Sequence, residues 1–225
     1  MSASRPGCAI LLVLASVTGS LAEGANSWQA VVRGQPGSSG QAQRLTDRQV
    51  ELVRRVDDYF NRLTMLQGSF IQVGADGKQQ HGKFHMMRPG RLRFDFAPPN
   101  RLVIISDGKY LSIQDYSLNT DDRKDLNQTP FRPLLRTEVD LLRDTLVMDV
   151  SEADDTLVIA FTDTGAEAGS IRLLLRTKPV IQLKGWITRD NQNLDTRVDL
   201  TEVQPVSSID QRLFDPSARL ERNRW

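Results

Sequence analysis

From Thr46 to Leu63 apolar side chains return every three or four positions, at Val50, Val53, Val56, Phe60 and Leu63, with Arg48, Glu51, Arg54, Arg55, Asp58 and Arg62 between them. That spacing predicts one helix with a single buried face. Thr46 followed three residues later by Gln49 is the capping-box signature of its start. Its polar face mixes both charge signs, which points to packing on the protein's own sheet rather than to lying on a membrane. From Leu66 onward the period falls to two, and short β-branched or aromatic runs are punctuated by turn residues. This predicts strands near 66–73, 79–88, 91–97, 101–106 and 110–116, then near 145–152, 156–162, 169–176, 180–189 and 194–203. Asp76-Gly77 and Asp107-Gly108 supply tight hairpins, Pro89-Gly90 and Pro98-Pro99 break pairing, and residues 190–193 make a polar turn. The reading is a mainly β (α+β) domain of consecutive antiparallel strands. About ten strands can close into a barrel or stay open, with room at one mouth for a ligand.

Between 117 and 145 the alternation lapses. Thr129-Pro130 reads as a cap followed by a first-turn proline, and Leu134, Leu135, Val139, Leu141 and Leu142 as a short apolar helix that Pro133 interrupts. A two-part insertion of this kind in a meander is a candidate lid. Alternation on the strands places Phe84, Met86 and Arg88 on one face and Lys83, His85 and Met87 on the other. On the next strand Leu92, Phe94 and Phe96 share a face opposite Arg91, Arg93 and Asp95. The apolar faces converge, and periodicity alone favours an ordinary packed core. An inward Arg88 needs partners, and its donors fit backbone carbonyls of the insertion; the alternative is an arginine at a strand end reaching solvent past Pro89.

The N-terminus adds a compartment. Arg5, the apolar stretch Cys8–Val17 and the small residues Ser20 and Ala22 form the pattern of a secretory signal cleaved near Ala22, too short to span a bilayer. Residues 23–44, rich in Gly, Pro and Ser, read as a flexible leader. Loss of Arg5 brings the 29 Lys and Arg down to 28, equal to the 28 Asp and Glu. A chain of zero net charge does not bind nucleic acid by bulk electrostatics. Cys8, the one cysteine, lies within the signal, so no disulfide framework or thiolate metal cluster is expected. With 225 residues, 39% of them apolar, and a mean hydropathy of -0.38, the chain is long enough for one real core.

Motifs for chemistry are weak. His81 and His85 have helical zinc spacing, but in a strand four residues span about 13 Å, too far for one metal ion. Ser106-Asp107-Gly108-Lys109 matches a Ser-x-x-Lys spacing that requires a helix, where Asp-Gly predicts a turn. Gly74 to Lys78 has the wrong spacing to cradle phosphates. Asp121-Asp122 and Asp154-Asp155 read as solvated loop residues, and Arg88, Arg91, Arg93 and Arg101 as a solvated strand face. No catalytic constellation, metal or cofactor is expected.

The stretch Gly82–Phe96, with Met86-Met87-Arg88-Pro89-Gly90-Arg91 at its centre and Pro98-Pro99 after it, resembles the LolA family of periplasmic lipoprotein carriers. Ser69-Phe70-Ile71-Gln72, Ile105-Ser106-Asp107-Gly108-Lys109 and Thr129-Pro130-Phe131 resemble further family segments in the same order, so that the likeness runs from 46 to about 215. The resemblance implies an incomplete, half-open antiparallel β-barrel closed over by helices, spanning 45–216, with an apolar interior that receives lipoprotein acyl chains. It implies a cavity lined by Phe84, Met86, Leu92, Phe94 and Phe96, a lid carrying Phe131, Leu134 and Leu135, and Arg88 as the latch to lid carbonyls. It also implies loading by an inner-membrane ABC-type releasing complex, delivery to an outer-membrane acceptor lipoprotein, and work as a monomer. Arg132 and Pro133 within the lid, the longer leader and the tail after Pro216 (217–225) depart from the family pattern. Two other readings remain: a periplasmic lipid or lipoprotein sensor acting on a membrane regulator, and a hydrolase.

Overall fold

The computed structural model describes residues 44–164 and 169–218. The signal, nearly all of the leader and the tail beyond 218 lie outside the described residues. Helix α1 (Asp47–Arg62) begins at Thr46, whose hydroxyl accepts from the Gln49 amide while the Gln49 side chain accepts from the Thr46 amide. The capping box therefore fixes the helix start the sequence assigns. Leu52, Val53, Val56 and Phe60 are the apolar residues that α1 buries.

Eleven strands follow: β1 (Met65–Val73), β2 (Gln79–Met87), β3 (Arg91–Phe96), β4 (Leu102–Asp107), β5 (Tyr110–Asp115), β6 (Thr120–Asp125), β7 (Thr145–Ala153), β8 (Thr156–Asp163), β9 (Ser170–Arg176), β10 (Gln182–Arg189) and β11 (Asp195–Pro205). They form one antiparallel sheet in the order β6-β5-β4-β3-β2-β1-β11-β10-β9-β8-β7. The sheet is two meanders, β1 to β6 and β7 to β11, joined at its centre where Leu66 to Val73 pair with Pro205 to Arg197. It does not close: β6 and β7 are its two edges. The chain between them, residues 126–144, contains a 3-10 turn (Leu126–Gln128) and two single-turn helices, α2 (Arg132–Leu135) and α3 (Leu141–Asp144).

Ten strands fall where alternation puts them, and β6 does not. Its sequence, Thr-Asp-Asp-Arg-Lys-Asp, has no apolar position to alternate. What makes it a strand is its partner: Thr120 to Asp125 pair with Asp115 to Tyr110, the Asp115 carboxylate accepts from the Ser117 and Leu118 amides at the turn, and Arg123 stacks 4.2 Å from the Tyr110 ring centroid. Charge along an edge strand also discourages pairing with another chain.

Another difference lies in the insertion. Thr129 closes the 3-10 turn, its hydroxyl donating to the Leu126 carbonyl, and does not open a helix. Pro133 sits in the first turn of α2, where a missing amide donor is harmless, so it starts that helix instead of breaking one. The insertion is nevertheless in two parts, as its proline content suggests.

On the concave face three rows cross β1, β2 and β3: Leu66, Met86 and Leu92; Gly68, Phe84 and Phe94; Phe70, Gly82 and Phe96. Glycine faces a ring in two of them, and the Phe70 ring covers Gly82, where a Cβ would lie 2.5 Å from it and closer still to the Asp95 carbonyl. The outer face of the same strands is covered differently. Arg93, only 4% exposed, pairs with Asp95 at 2.7 Å and donates to the Leu213 carbonyl at 3.1 Å, while Gln114 donates to that of Pro216 at 2.8 Å. Arg93 therefore departs from the solvated arginine face expected from sequence, because a segment about 120 residues further on lies over it. Phe214 is buried in that segment.

Gly82→Ala is expected to lower the unfolding free energy by about 1–3 kcal/mol, the usual effect of overpacking, measured by denaturant unfolding against Lys83→Ala on the exposed face as control.

Candidate functional site

Strand alternation delivers Phe84, Met86, Leu92, Phe94 and Phe96 to one concave wall, and the β6–β7 connection lays Phe131, Leu134 and Leu135 over it. Phe84, Leu92, Phe96, Leu134 and Leu135 are buried, whereas Met86, Phe94 and Phe131 are only partly covered. They divide between two overlapping apolar clusters. Phe84, Phe96 and Leu134 pack with α1 and the β7–β11 meander. Leu92 and Leu135 pack with Leu111 and Leu126, and Met86, Phe94, Ile104 and Phe131 bridge the two.

Phe94 is the centre of a ring network. Its centroid lies 5.0 Å from that of Phe70, 5.8 Å from Phe84 and 6.0 Å from Trp186, and Trp186 in turn lies 5.6 Å from Phe131. The Phe84–Phe94 pair is stacked and the other three are edge contacts, both arrangements that suit the ring quadrupoles. Trp186, on β10 from the other meander, therefore joins wall to lid. Sequence reasoning missed it because the residues around it, Lys184-Gly185, form a bulge that interrupts alternation. Two solvent-open grooves of about 520 and 480 Å³ flank α1, and none of the eight residues lines either. With the lid shut, the wall is occupied by its own rings.

Arg88 stands just past the end of β2. Its Nη1 donates to the Phe60 carbonyl and, at 3.5 Å, to that of Leu63; its Nη2 donates to the Arg136 carbonyl at 2.5 Å and to that of Thr137 at 3.4 Å. The first pair belongs to the C-terminal end of α1, where the Phe60 carbonyl also accepts from the Leu63 amide at 3.1 Å and the helix dipole favours a cation. The second pair belongs to the lid. One guanidinium thus joins sheet, helix and lid through carbonyls, its Nε buried without a partner, and burial lowers its pKa. Beside it the Gly90 amide donates to the Leu135 carbonyl at 2.8 Å.

Three further side chains hold the lid. Asn61 on α1 clamps Val139, donating to its carbonyl at 2.9 Å and accepting from its amide at 2.8 Å. Asp57, one helical turn earlier and 8% exposed, accepts from the Leu141 amide at 3.1 Å. Arg132 forms a bidentate pair with Asp163 at the end of β8, with Nε to Oδ2 at 2.6 Å. The Asp163 side chain is fully buried, and the pairing raises the pKa of Arg132. Arg132 is therefore an anchor of the insertion to the far meander. No local signal predicts it, since its partner is 31 residues away across the sheet.

His81 and His85 share the outer face of β2, opposite Ile71 and Gln67. His85 is partly buried, and desolvation lowers its pKa.

Arg132→Leu removes the bidentate cationic partner of a carboxylate that is fully buried. It should lower stability by about 3–5 kcal/mol, and Arg132→Leu with Asp163→Leu should recover most of that loss, both read from denaturant unfolding.

The sequence is similar to those of known proteins. The outer-membrane lipoprotein carrier protein of Halorhodospira halophila is 27% identical over 179 residues, covering 76% of this chain and 83% of its own. That of Methylococcus capsulatus is 25% identical over 169 residues, covering 71% and 80%. Among solved structures, a LolA superfamily protein from Nitrosomonas europaea superposes with a TM-score of 0.42 at 11% identity, covering 76% of this chain and 98% of that one. The model of the family described as outer membrane lipoprotein carrier protein LolA matches residues 61–217, from the end of α1 through the C-terminal strap, and the chain belongs to that family.

Proposed function

We propose that this protein is a periplasmic carrier, not an enzyme, that shelters lipoprotein acyl chains against the concave wall and moves lipoproteins from the inner to the outer membrane. The observation that carries the reading is a lid whose backbone carbonyls are bonded by Arg88 above an apolar wall, with Phe94 and Trp186 beneath and Phe131 of the lid only partly covered. Acyl chains enter as the lid swings away and take over the contacts those rings make with one another. Sheltering one methylene is worth about 0.8 kcal/mol, so a chain of about 16 carbons resists water by roughly 12 kcal/mol, and a carrier has to offer comparable apolar surface. Phe84, Met86, Leu92, Phe94 and Phe96 supply it from the sheet; Phe131, Leu134 and Leu135 supply it from the lid. Extraction of such a lipid from a bilayer needs external work, which an inner-membrane ATPase complex provides, and unloading needs a tighter acceptor at the outer membrane. Cleavage of residues 1–22 delivers the carrier to the compartment between them.

Shutting the lid restores the Arg88 bonds and thereby opposes retention of cargo. A diacylated peptide with brominated chains is expected to quench Trp186 in a variant carrying Trp28→Phe and Trp225→Phe. No quenching and no acylated species in native mass spectra of the periplasmic protein would end the carrier reading. Arg88→Leu should still load but release to acceptor vesicles roughly tenfold or more slowly, since one hydrogen bond to a charged group contributes about 1.5–3 kcal/mol. Unchanged loading together with unchanged transfer would remove Arg88 from the mechanism.

A further inference from the structure

Asp57 is an acid in an unusual place. It faces inward from α1, and its Oδ1 accepts from the Leu141 amide at the first residue of α3. The groove beside it, about 520 Å³, runs between α1 and the lid. The charged groups that meet there are Arg54 and Asp58 from α1, and Glu138, Asp140 and Arg143 from the lid, with Asp144 just behind. Arg143 is engaged by acids of the lid itself: Asp144 at 3.1 Å, Glu138 at 3.7 Å and Asp140 at 3.8 Å. Arg136 likewise pairs with Asp144 at 3.3 Å. Arg54 lines the groove without an ion pair to Asp57. Asp57 is thus a buried carboxyl with one amide donor, surrounded by other acids and, among the described residues, with no cation bound to it.

We propose that Asp57 is a proton-controlled pin of the lid: protonated, it holds α3 against α1, and ionised, it favours lifting of residues 137–144. A neutral carboxyl keeps its carbonyl oxygen for the Leu141 amide and is not repelled by Asp58, Asp140 and Asp144. An ionised one is buried without a counter-charge, and lifting the lid relieves it by admitting water. Desolvation, helped by those three carboxylates and opposed by the Leu141 amide, raises its pKa from 3.8 to about 7. Opened to water, the group returns toward its ordinary value, so the closed form binds the extra proton. The contribution to closure is fully present below about pH 4, falls as pH rises, and is gone above about pH 7. Neutral pH lies at the upper end of that curve, where the last of the contribution is lost. Val139, clamped by Asn61, and the Arg136 and Thr137 carbonyls, held by Arg88, belong to the same segment, so loosening at Leu141 is transmitted to the latch.

The proposal concerns the lid of the carrier reading above, but its test uses the empty protein, so failure to bind acyl chains and failure of the pin are separate results. Amide hydrogen exchange of residues 137–144, corrected for the intrinsic pH dependence of exchange, is measured from pH 5 to 8 in the wild type and in Asp57→Asn, which keeps the acceptor without the charge. Wild-type protection should fall by up to about tenfold per pH unit below neutrality and level off above it, while β9 and β10 stay constant and Asp57→Asn is flat. A flat wild-type profile, an equal slope in the variant or an equal change in β9 and β10 would overturn the pin. Carbon-13 titration of the Asp57 carboxyl in the wild type decides the matter independently of the variant: a midpoint near neutrality supports it, and one below pH 5 refutes it.

Discussion

The two halves of this sheet meet at its centre, where β1 pairs with β11, and that pairing leaves β6 and β7 as opposite edges. The chain has to travel from one edge to the other, and residues 126–144 are the part that does so. The lid is in that sense a consequence of topology together with burial: the segment is tied to both edges of an open sheet, and its apolar residues lay it over the inner wall. Sequence then decides how the crossing segment is held. In a closed barrel β6 and β7 would pair, and their connection would have no gap to cross.

The attachments differ in chemistry. Arg88 bonds only carbonyls, so opening exposes its charge to water and leaves no acid unpaired, at a loss of about 1.5–3 kcal/mol per bond to the charged donor. Arg132 and Asp163 form a charged pair whose acid lies wholly inside, the arrangement in which loss of one partner is most damaging. Asn61 copies the donor and acceptor of a backbone strand, and Asp57 offers an acceptor that is best satisfied when uncharged. Two of these four side chains lie on α1, which therefore acts as the bed on which the lid rests as well as the cover of the apolar core.

Most of the architecture was legible because it rests on local rules. The capping Thr46, the three- and four-residue spacing in α1, alternation in ten strands and the Asp-Gly turns each have a physical cause within a few residues. The carbonyl bonds of Arg88 were one of the two outcomes its position allowed, since it shares a face with Phe84 and Met86 but also stands at a strand end before Pro89. Strand β6 escaped because its pairing comes from β5 and not from any apolar alternation of its own. Arg93 was misjudged because its cover, Leu213 to Pro216, lies far along the chain.

By itself, then, the sequence determined one α1 helix, two runs of alternating strands, an apolar wall with an arginine beyond it and a two-part insertion, because periodicity and turn chemistry act over short distances. Only the tertiary structure decided that the insertion bridges the two sheet edges, that Trp186 joins the wall to Phe131, that Arg132 finds Asp163, and that Asp57 is buried among other acids under the lid. Those outcomes depend on which distant segments share a volume from which water is excluded, and desolvation and pairing have no trace in local sequence.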